Sequence, residues 1–292
     1  MKEIRIVEIS ENIRMLFAEP TQILNNLTYK NYTIRHKNGK HRLISVPNPT
    51  LKIIQKAILN YILYPYYSSL CHSQCQGFRR EYGTARAAKL HINKKYVMNL
   101  DVQDFFFSIN IDAVKSTLNK IELINSPLST EEIAIICTNK ARLPQGAPTS
   151  PFLSNIVMYE IDQAITEAAE GYTYTRYADD MTFSGNKHPG YLIEEIRKIL
   201  RNEGLLLNNR KTKIMMPHQR QNVLGITVNE KRSIPRKLRR SIRMQLYNLA
   251  RQKTEMPKEL EGMLRYIKSI NLIQHNNLID YYTKISNRMK DK

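Results

Sequence analysis

Apolar residues recur along this chain with two different periods, and the changes of period mark its elements. Leu51, Ile54, Ile58 and Ile62 stand at helical spacing, which predicts a helix over 50–64. Just before it, TIRHKNGKHRLISVP (33–47) places Asn38-Gly39 between two polar-to-apolar runs. Asn-Gly accepts the left-handed backbone that a two-residue hairpin turn demands, so this stretch predicts a β-hairpin with a basic tip. Residues 1–30 read as short amphipathic helices. KYVMNLDV (95–102) is a short apolar strand that ends in an acid. Residues 112–141 carry the spacing of two helices, and LPQGAPTSP (143–151) is a turn-rich loop. Pro151 fits the first turn of the next helix, with Thr149 or Ser150 as its cap and an end near Glu170.

YTYTRYADDMTFSG (172–185) sets β-branched and aromatic residues on both sides of Ala178-Asp179-Asp180, a second hairpin. A helix over 190–203 follows, then strands near 212–216 and 222–228. From Pro235 onward the strand signal stops, leaving helical segments at 236–252, 257–271 and 276–290. The pattern predicts an α+β chain: a mixed body over 1–230, then a helical subdomain.

Composition narrows the function. With 42% hydrophobic residues among 292, the chain can build a sizeable core, which excludes a disordered protein. Its 45 Lys and Arg against 26 Asp and Glu give a net charge of +19. A charge of that size favours a polyanionic partner, nucleic acid foremost. A membrane surface fits less well, because the basic residues are spread along the chain rather than gathered in one amphipathic anchor. Cys71, Cys75 and Cys137 are too few and odd in number for a disulfide framework, which suits a reducing compartment. Cys71 and Cys75 flank His72, but a single C-x3-C without a matching pair reads as ordinary thiols rather than a zinc clip. The N-terminus lacks an apolar signal core, and no run reaches membrane-spanning length. These features together predict a cytoplasmic protein without a membrane partner.

The candidate chemistry lies in carboxylates. Asp101 ends one strand, and Asp179 with Asp180 occupies a hairpin tip. An acidic pair in a turn is common, because Asp bonds its own backbone there. Strand-forming residues on both sides, however, would hold these acids rigidly, and the strand ending in Asp101 can pair alongside. Converging carboxylates bind hard divalent cations such as Mg²⁺ through oxygen. A pair of such ions about 4 Å apart is the arrangement for phosphoryl transfer. The first hairpin tip carries Lys37, Lys40, His41 and Arg42, a basic lid suited to phosphate oxygens. Gly146, after Gln145, permits close backbone approach to a ligand.

In the tail, nine Lys or Arg and no acid lie between Lys231 and Lys253. Leu238, Ile242, Leu246 and Leu249 share one helical face; Arg236, Arg240, Arg243, Tyr247 and Arg251 fall on the opposite one. Solvated faces usually mix signs to limit repulsion, and this one does not. It reads as a nucleic-acid-binding face, with arginines for phosphates and Tyr247 for stacking.

NLDVQDFFFSI, LPQGAPTSP, YTRYADD, GLLLNNRKTKI and VLGITVN resemble, in that order, the successive motifs of reverse transcriptases. The wording of the second and third is most similar to bacterial retron reverse transcriptases. The resemblance covers about residues 30–230 and implies a right-hand polymerase. Fingers would occupy about 1–95 and 112–142, the palm 96–111 and 143–230, and the thumb 231–292. It implies that Asp101, Asp179 and Asp180, with the Val102 carbonyl, hold two Mg²⁺ ions, for which Mn²⁺ could substitute. Phe106 would be the sugar gate that excludes a 2′-hydroxyl; its plainer reading is core packing within Phe105-Phe106-Phe107, which strand alternation would turn to different faces. Gln145, Gly146, Lys40, Arg42 and Lys211 would contact the nucleotide, and Val223-Leu224-Gly225 would grip the primer.

The activity implied is RNA-directed DNA polymerisation with deoxynucleoside triphosphates. A structured noncoding RNA would serve as template and as primer, giving a branched RNA–DNA hybrid. A link with phage defence through a separate effector protein comes with the same resemblance. Two departures stand out: the family's Asn-Ala-x-x-His keeps its histidine but loses its asparagine, in Ala87-Ala88-Lys89-Leu90-His91, and its Val-Thr-Gly is Val223-Leu224-Gly225. Other readings are an intron-encoded or CRISPR-associated type of reverse transcriptase, and an inactive palm serving as an RNA-binding scaffold. The presence of all three acids argues against the last.

Overall fold

The computed structural model describes residues 17, 27–35, 41–66, 71–121, 123 and 126–290. The predicted helices of 1–30 fall almost wholly outside that set, as do Lys37, Asn38-Gly39 and Lys40 at the first hairpin tip. That hairpin pairs β1 (Tyr29–Arg35) antiparallel to β2 (His41–Pro47) as a separate ribbon. Helix α1 (Pro49–Ala57) starts where the Asn48 side chain accepts a hydrogen bond from the Leu51 amide. The predicted helix then continues as a π-helical stretch, Ile58–Leu63, and a short 3₁₀ turn, Tyr64–Tyr66. Helix α2 (Thr84–Leu90) leads into strand β3 (Tyr96–Asp101).

The three phenylalanines do not form a strand. Asp104 adopts a left-handed backbone, φ 46°, which turns the chain into a one-turn helix α3 (Phe105–Ser108). Helices α4 (Ile111–Asn119) and α5 (Thr130–Cys137) follow, capped by Asn110 and by a Ser129–Glu132 capping box. The long helix predicted after Pro151 is two helices, α6 (Ser150–Val157) and α7 (Tyr159–Ala168), broken at Met158. Thr149 stands at the predicted N-cap position, but neither predicted side chain makes a capping bond. Thr149 already has helical angles, so its side chain makes no capping bond, and the Ser150 hydroxyl donates to the Pro144 carbonyl.

The second hairpin pairs β4 (Thr173–Tyr177) with β5 (Asp180–Gly185). After α8 (Leu192–Asn202), strand β6 (Lys213–Met215) completes a four-stranded sheet in the order β4-β5-β3-β6. The stretch predicted as a strand over 222–228 is itself a small hairpin, β7 (Asn222–Val223) and β8 (Ile226–Thr227). Its turn residues Leu224 and Gly225 both have positive φ, 49° and 84°, the signature of a tight hairpin turn. The tail is α9 (Arg236–Gln252), α10 (Lys258–Ile270) and α11 (Leu272–Lys290). Helix α11 begins earlier than its pattern predicts, because the Asn271 side chain accepts from the Gln274 amide and caps it.

Two hydrophobic cores result. The larger packs α1, α4–α8 and one face of the sheet, with Met98, Leu100, Met181 and Phe183 at its centre. The smaller joins the tail helices to β7–β8 through Ile242, Leu246, Leu264 and Ile267 against Val223, Ile226, Met215 and Val97. The tail therefore docks on the sheet side of the body. No described helix is long and apolar enough to cross a membrane.

Candidate active site

Strand register brings the acids together. In the β3–β5 pairing Asp101 lies directly opposite Asp180, and the Val102 amide donates to the Asp179 carbonyl at 3.0 Å. Residues directly opposite in a sheet project to the same side, so Asp101 and Asp180 share a face beside the turn that presents Asp179. The turn is Ala178-Asp179, and Ala178 sits at φ 55°. A left-handed backbone at a residue with a β-carbon costs about 1–2 kcal/mol and persists only where the surroundings hold it.

Electrostatics at this corner are adverse without a cation. Burial and the charges of Asp179 and Asp101 push the Asp180 carboxyl up to about 6. Asp179 is also raised, by burial first and by Asp101 second. Lys211 answers part of this charge: its ammonium meets Asp101 Oδ2 at 2.5 Å, and Asn208 Nδ2 donates to Asp101 Oδ1 at 3.1 Å. Burial alone would lower the Lys211 pKa, but the hydrogen bond and charge of Asp101, then Asp179 and Asp180, raise it. Lys211 therefore sits on the acids themselves.

A shell of residues outside the predicted site braces the hairpin. Arg176 is fully buried, and its guanidinium grips the Asp162 carboxylate on α7 through Nε and Nη2 at 2.6–3.0 Å. Tyr174 donates to the same carboxylate at 2.7 Å. The signal was present: a charged residue inside a buried strand demands a partner, and Asp162 is the fully buried acid that answers it. Removing either would strand the other as an uncompensated charge, at about 3–5 kcal/mol. His91 is buried between the Ser184 and Thr175 hydroxyls at 2.7 and 2.8 Å, and burial depresses its pKa to about 3. It ties the end of α2 to the sheet as a neutral ring.

The remaining candidates distribute around this corner. Phe106 is half-buried, with its ring 5.4 Å from Phe105 and 6.3 Å from Phe78. Phe78 also lies 6.0 Å from Tyr177, so it bridges Phe106 to the β4–β5 hairpin. Gln145 and Gly146 are stitched to the first hairpin, since the Gln145 carbonyl accepts from the Ser45 amide at 2.8 Å. A β-carbon on Gly146 would stand 2.8 Å from the Ser45 carbonyl, and its φ is 127°, so only glycine fits. Arg42 is exposed on β2, and Lys40 lies outside the described residues. Val223 is core, under the turn made by Leu224 and Gly225. On α9, Arg236, Arg240, Arg243, Tyr247 and Arg251 are exposed while Ile242, Leu246 and Leu249 are buried. Arg243 is already engaged, its guanidinium 4.3 Å from the Tyr281 ring centre on α11. Cys71, Cys75 and Cys137 are buried free thiols.

Residues 34–228 match the family of reverse transcriptases (RNA-dependent DNA polymerases). The retron Ec86 reverse transcriptase of Escherichia coli is 30% identical over 269 residues, covering 89% of this chain and 82% of that protein. The retron Mx65 reverse transcriptase of Myxococcus xanthus is also 30% identical, covering 86% of this chain but 63% of its own length. Among solved structures, the apo telomerase of Candida tropicalis truncated from its C-terminal domain aligns with a TM-score of 0.52 at 16% identity, over 72% of this chain and 55% of that one. The Sicinivirus 3Dpol RNA-dependent RNA polymerase aligns at 0.54 and 12%, over 94% and 67%. These likenesses show the right-hand polymerase fold. With the family match spanning residues 34–228 and retron relatives aligned over most of its length, the chain belongs to the bacterial retron reverse transcriptases and is an RNA-directed DNA polymerase.

Proposed function

We propose that this polymerase copies a structured noncoding RNA, using an RNA 2′-hydroxyl as primer and deoxynucleoside triphosphates as substrates, to make a branched RNA–DNA hybrid. The observation that carries the active-site part is the register that sets Asp101 against Asp180 beside Asp179. Thirty per cent identity to retron enzymes supports the RNA part. Among the described residues, no group of three or more His, Cys, Asp or Glu side chains is gathered to hold a metal ion as it stands. The donor chemistry nonetheless fits hard dications: crowded carboxylates, Asp179 and Asp180 raised by burial first and by their acidic neighbours second, with the Lys211 ammonium as counter-charge. Asp101, Asp179, Asp180 and the Val102 carbonyl would hold Mg²⁺, and Mn²⁺ could replace it. Such ions, when bound, lower the pKa of the attacking hydroxyl and neutralise the leaving pyrophosphate.

The chain's own residues do the rest. Release from Asp101 would free the Lys211 ammonium to meet triphosphate oxygens. Arg42, with Lys40, would close on the same triphosphate from the first hairpin, and Gln145 and Gly146 would line the nucleotide's other side. Phe106, backed by Phe105 and Phe78, would fill the space of a 2′-hydroxyl. The turn at Leu224-Gly225 would press the primer strand, and the basic face of α9 would follow the duplex backbone, stacking through Tyr247. In this reading the fingers comprise 1–95 and 112–142, the palm 96–111 and 143–230, and the thumb 231–292. A role in phage defence with a separate effector protein extends the same proposal.

The test is to purify the protein with its native operon and digest the bound nucleic acid separately with RNase and DNase. A discrete species sensitive to both is expected. Nucleic acid sensitive to RNase alone, from protein active on added primer–template, would exclude the branched product.

A further inference from the structure

The buried Arg176 does more than neutralise Asp162. Its Nη1 reaches past the ion pair to the Ala178 carbonyl at 3.2 Å, with Asn155 Oδ1 also accepting at 3.3 Å. That carbonyl belongs to the peptide joining Ala178 to Asp179, and its orientation fixes where the Asp179 side chain leaves the turn. The same arginine's backbone is held by a second element. Its amide donates to the Gln74 carbonyl at 2.9 Å, and its carbonyl accepts from the Gln76 amide at 2.7 Å. Residues 74–78 thereby run behind the turn. Asn155 Nδ2 anchors them by donating to the Gly77 carbonyl at 2.9 Å. A β-carbon on Gly77 would stand 2.9 Å from the Ala178 amide nitrogen, so the loop touches the turn backbone. Helix α6, helix α7 and the 74–78 loop thus converge on one peptide unit that has no intrinsic preference for its left-handed form.

We infer that Arg176, with Gly77 behind it, is a positioning clamp for the Ala178–Asp179 peptide and so sets the geometry of the metal-holding acids. The proposal rests on the reading of Asp179 as one of those acids. A guanidinium is needed because its planar fork serves Asp162 and a carbonyl at once; an ammonium at that site satisfies the acid and loses the carbonyl.

The experiment compares Arg176→Lys, Gly77→Ala and Tyr174→Phe. Tyr174→Phe removes one bond to Asp162 and leaves the turn untouched, so melting temperature should fall while kcat stays within about twofold. Arg176→Lys should lower kcat about tenfold to a hundredfold with the deoxynucleotide KM little changed. A second readout needs no turnover: Mn²⁺ titrated into nuclease-treated enzyme and followed by electron paramagnetic resonance, with Asp179→Asn as background. Its midpoint should rise about tenfold in Arg176→Lys. Gly77→Ala should give the same signature from the opposite side of the turn, and it decides the matter if Arg176→Lys does not fold. Wild-type kcat and Mn²⁺ midpoint in a folded Arg176→Lys, or in Gly77→Ala, would overturn the clamp. If Asp179→Asn keeps full activity, the catalytic reading itself fails, which is a different result.

Discussion

The molecule uses a β-hairpin twice, for opposite purposes. In the hairpin β4–β5, which carries the candidate acids, β5 is almost entirely buried and sits inside a four-stranded sheet, its turn gripped by Arg176. In the hairpin β1–β2 nearly every residue of β1 is exposed, and Tyr32, Ile34 and Leu43 face solvent. Beyond the anchored end of β2, where Ser45 and Pro47 are buried and Ser45 bonds Gln145, the exposed strand residues of such a ribbon have low local stability and can reshape around a ligand. A turn locked by long-range bonds cannot, and phosphoryl transfer needs acids held within fractions of an ångström. Under the proposed roles, rigidity is placed where bonds would be made, and freedom where the incoming nucleotide would be admitted and released.

The sharpest way to break this contrast is at the rigid hairpin. Asp179→Asn preserves the turn's shape and removes a charged ligand. DNA synthesis is expected to drop by several orders of magnitude, the scale of about 4 kcal/mol or more for such electrostatic stabilisation. RNA binding, measured by filter retention, should be unchanged. Near wild-type primer extension would show that the catalytic acids lie elsewhere.

The exposed hairpin should respond differently and less. Arg42→Gln keeps the strand and removes one charge from the side proposed to meet the triphosphate. The KM for deoxynucleotides should rise on the order of tenfold with kcat little affected, the worth of one charge-assisted hydrogen bond. Steady-state kinetics on a fixed primer–template separate the two constants. A fall in kcat at constant KM would make this ribbon part of the rigid chemistry and erase the distinction.

Both hairpins are legible in the residues, through Asn38-Gly39 in one and through strand-formers flanking Ala178-Asp179-Asp180 in the other. The pairing of Asp101 with Asp180 follows from an apolar strand ending in an acid. What separates the hairpins is not legible by period or motif, because Arg176 meets Asp162 and Asn155 from two other helices, and the Gly77 loop from a segment about a hundred residues earlier. Backbone conformation caused the local misses. A left-handed Asp104 turns the expected strand of Phe105-Phe106-Phe107 into a helix, and helical angles at Thr149 leave the predicted cap without a bond. The contact of Lys211 with Asp101 joins residues far apart in the chain, so neither spacing nor motif announces it.

The smallest effect concerns what the rigid hairpin costs the fold. Asp180 has a carboxyl raised from an ordinary 3.8 to about 6 by burial and by Asp179 and Asp101. A raised acid binds its proton more tightly folded than unfolded. Its stabilising contribution is therefore complete below 3.8 and is lost as pH rises through about 6. The strands of the exposed hairpin carry no carboxylate, so no such loss arises there. Asp180→Asn removes the titration while keeping shape. In metal-free buffer it should melt higher than wild type at pH 7.5 by a few degrees and lose that advantage at pH 4, the usual trade of stability against function in a charged site. Added Mg²⁺ should reverse the order at pH 7.5, because only the wild type keeps the full set of charged ligands. Scanning calorimetry at the two pH values, with and without the ion, reads all four states. A metal-free Asp180→Asn that melts below wild type at pH 7.5 would mean that the acids are already balanced by Lys211, and that the corner is not strained electrostatically.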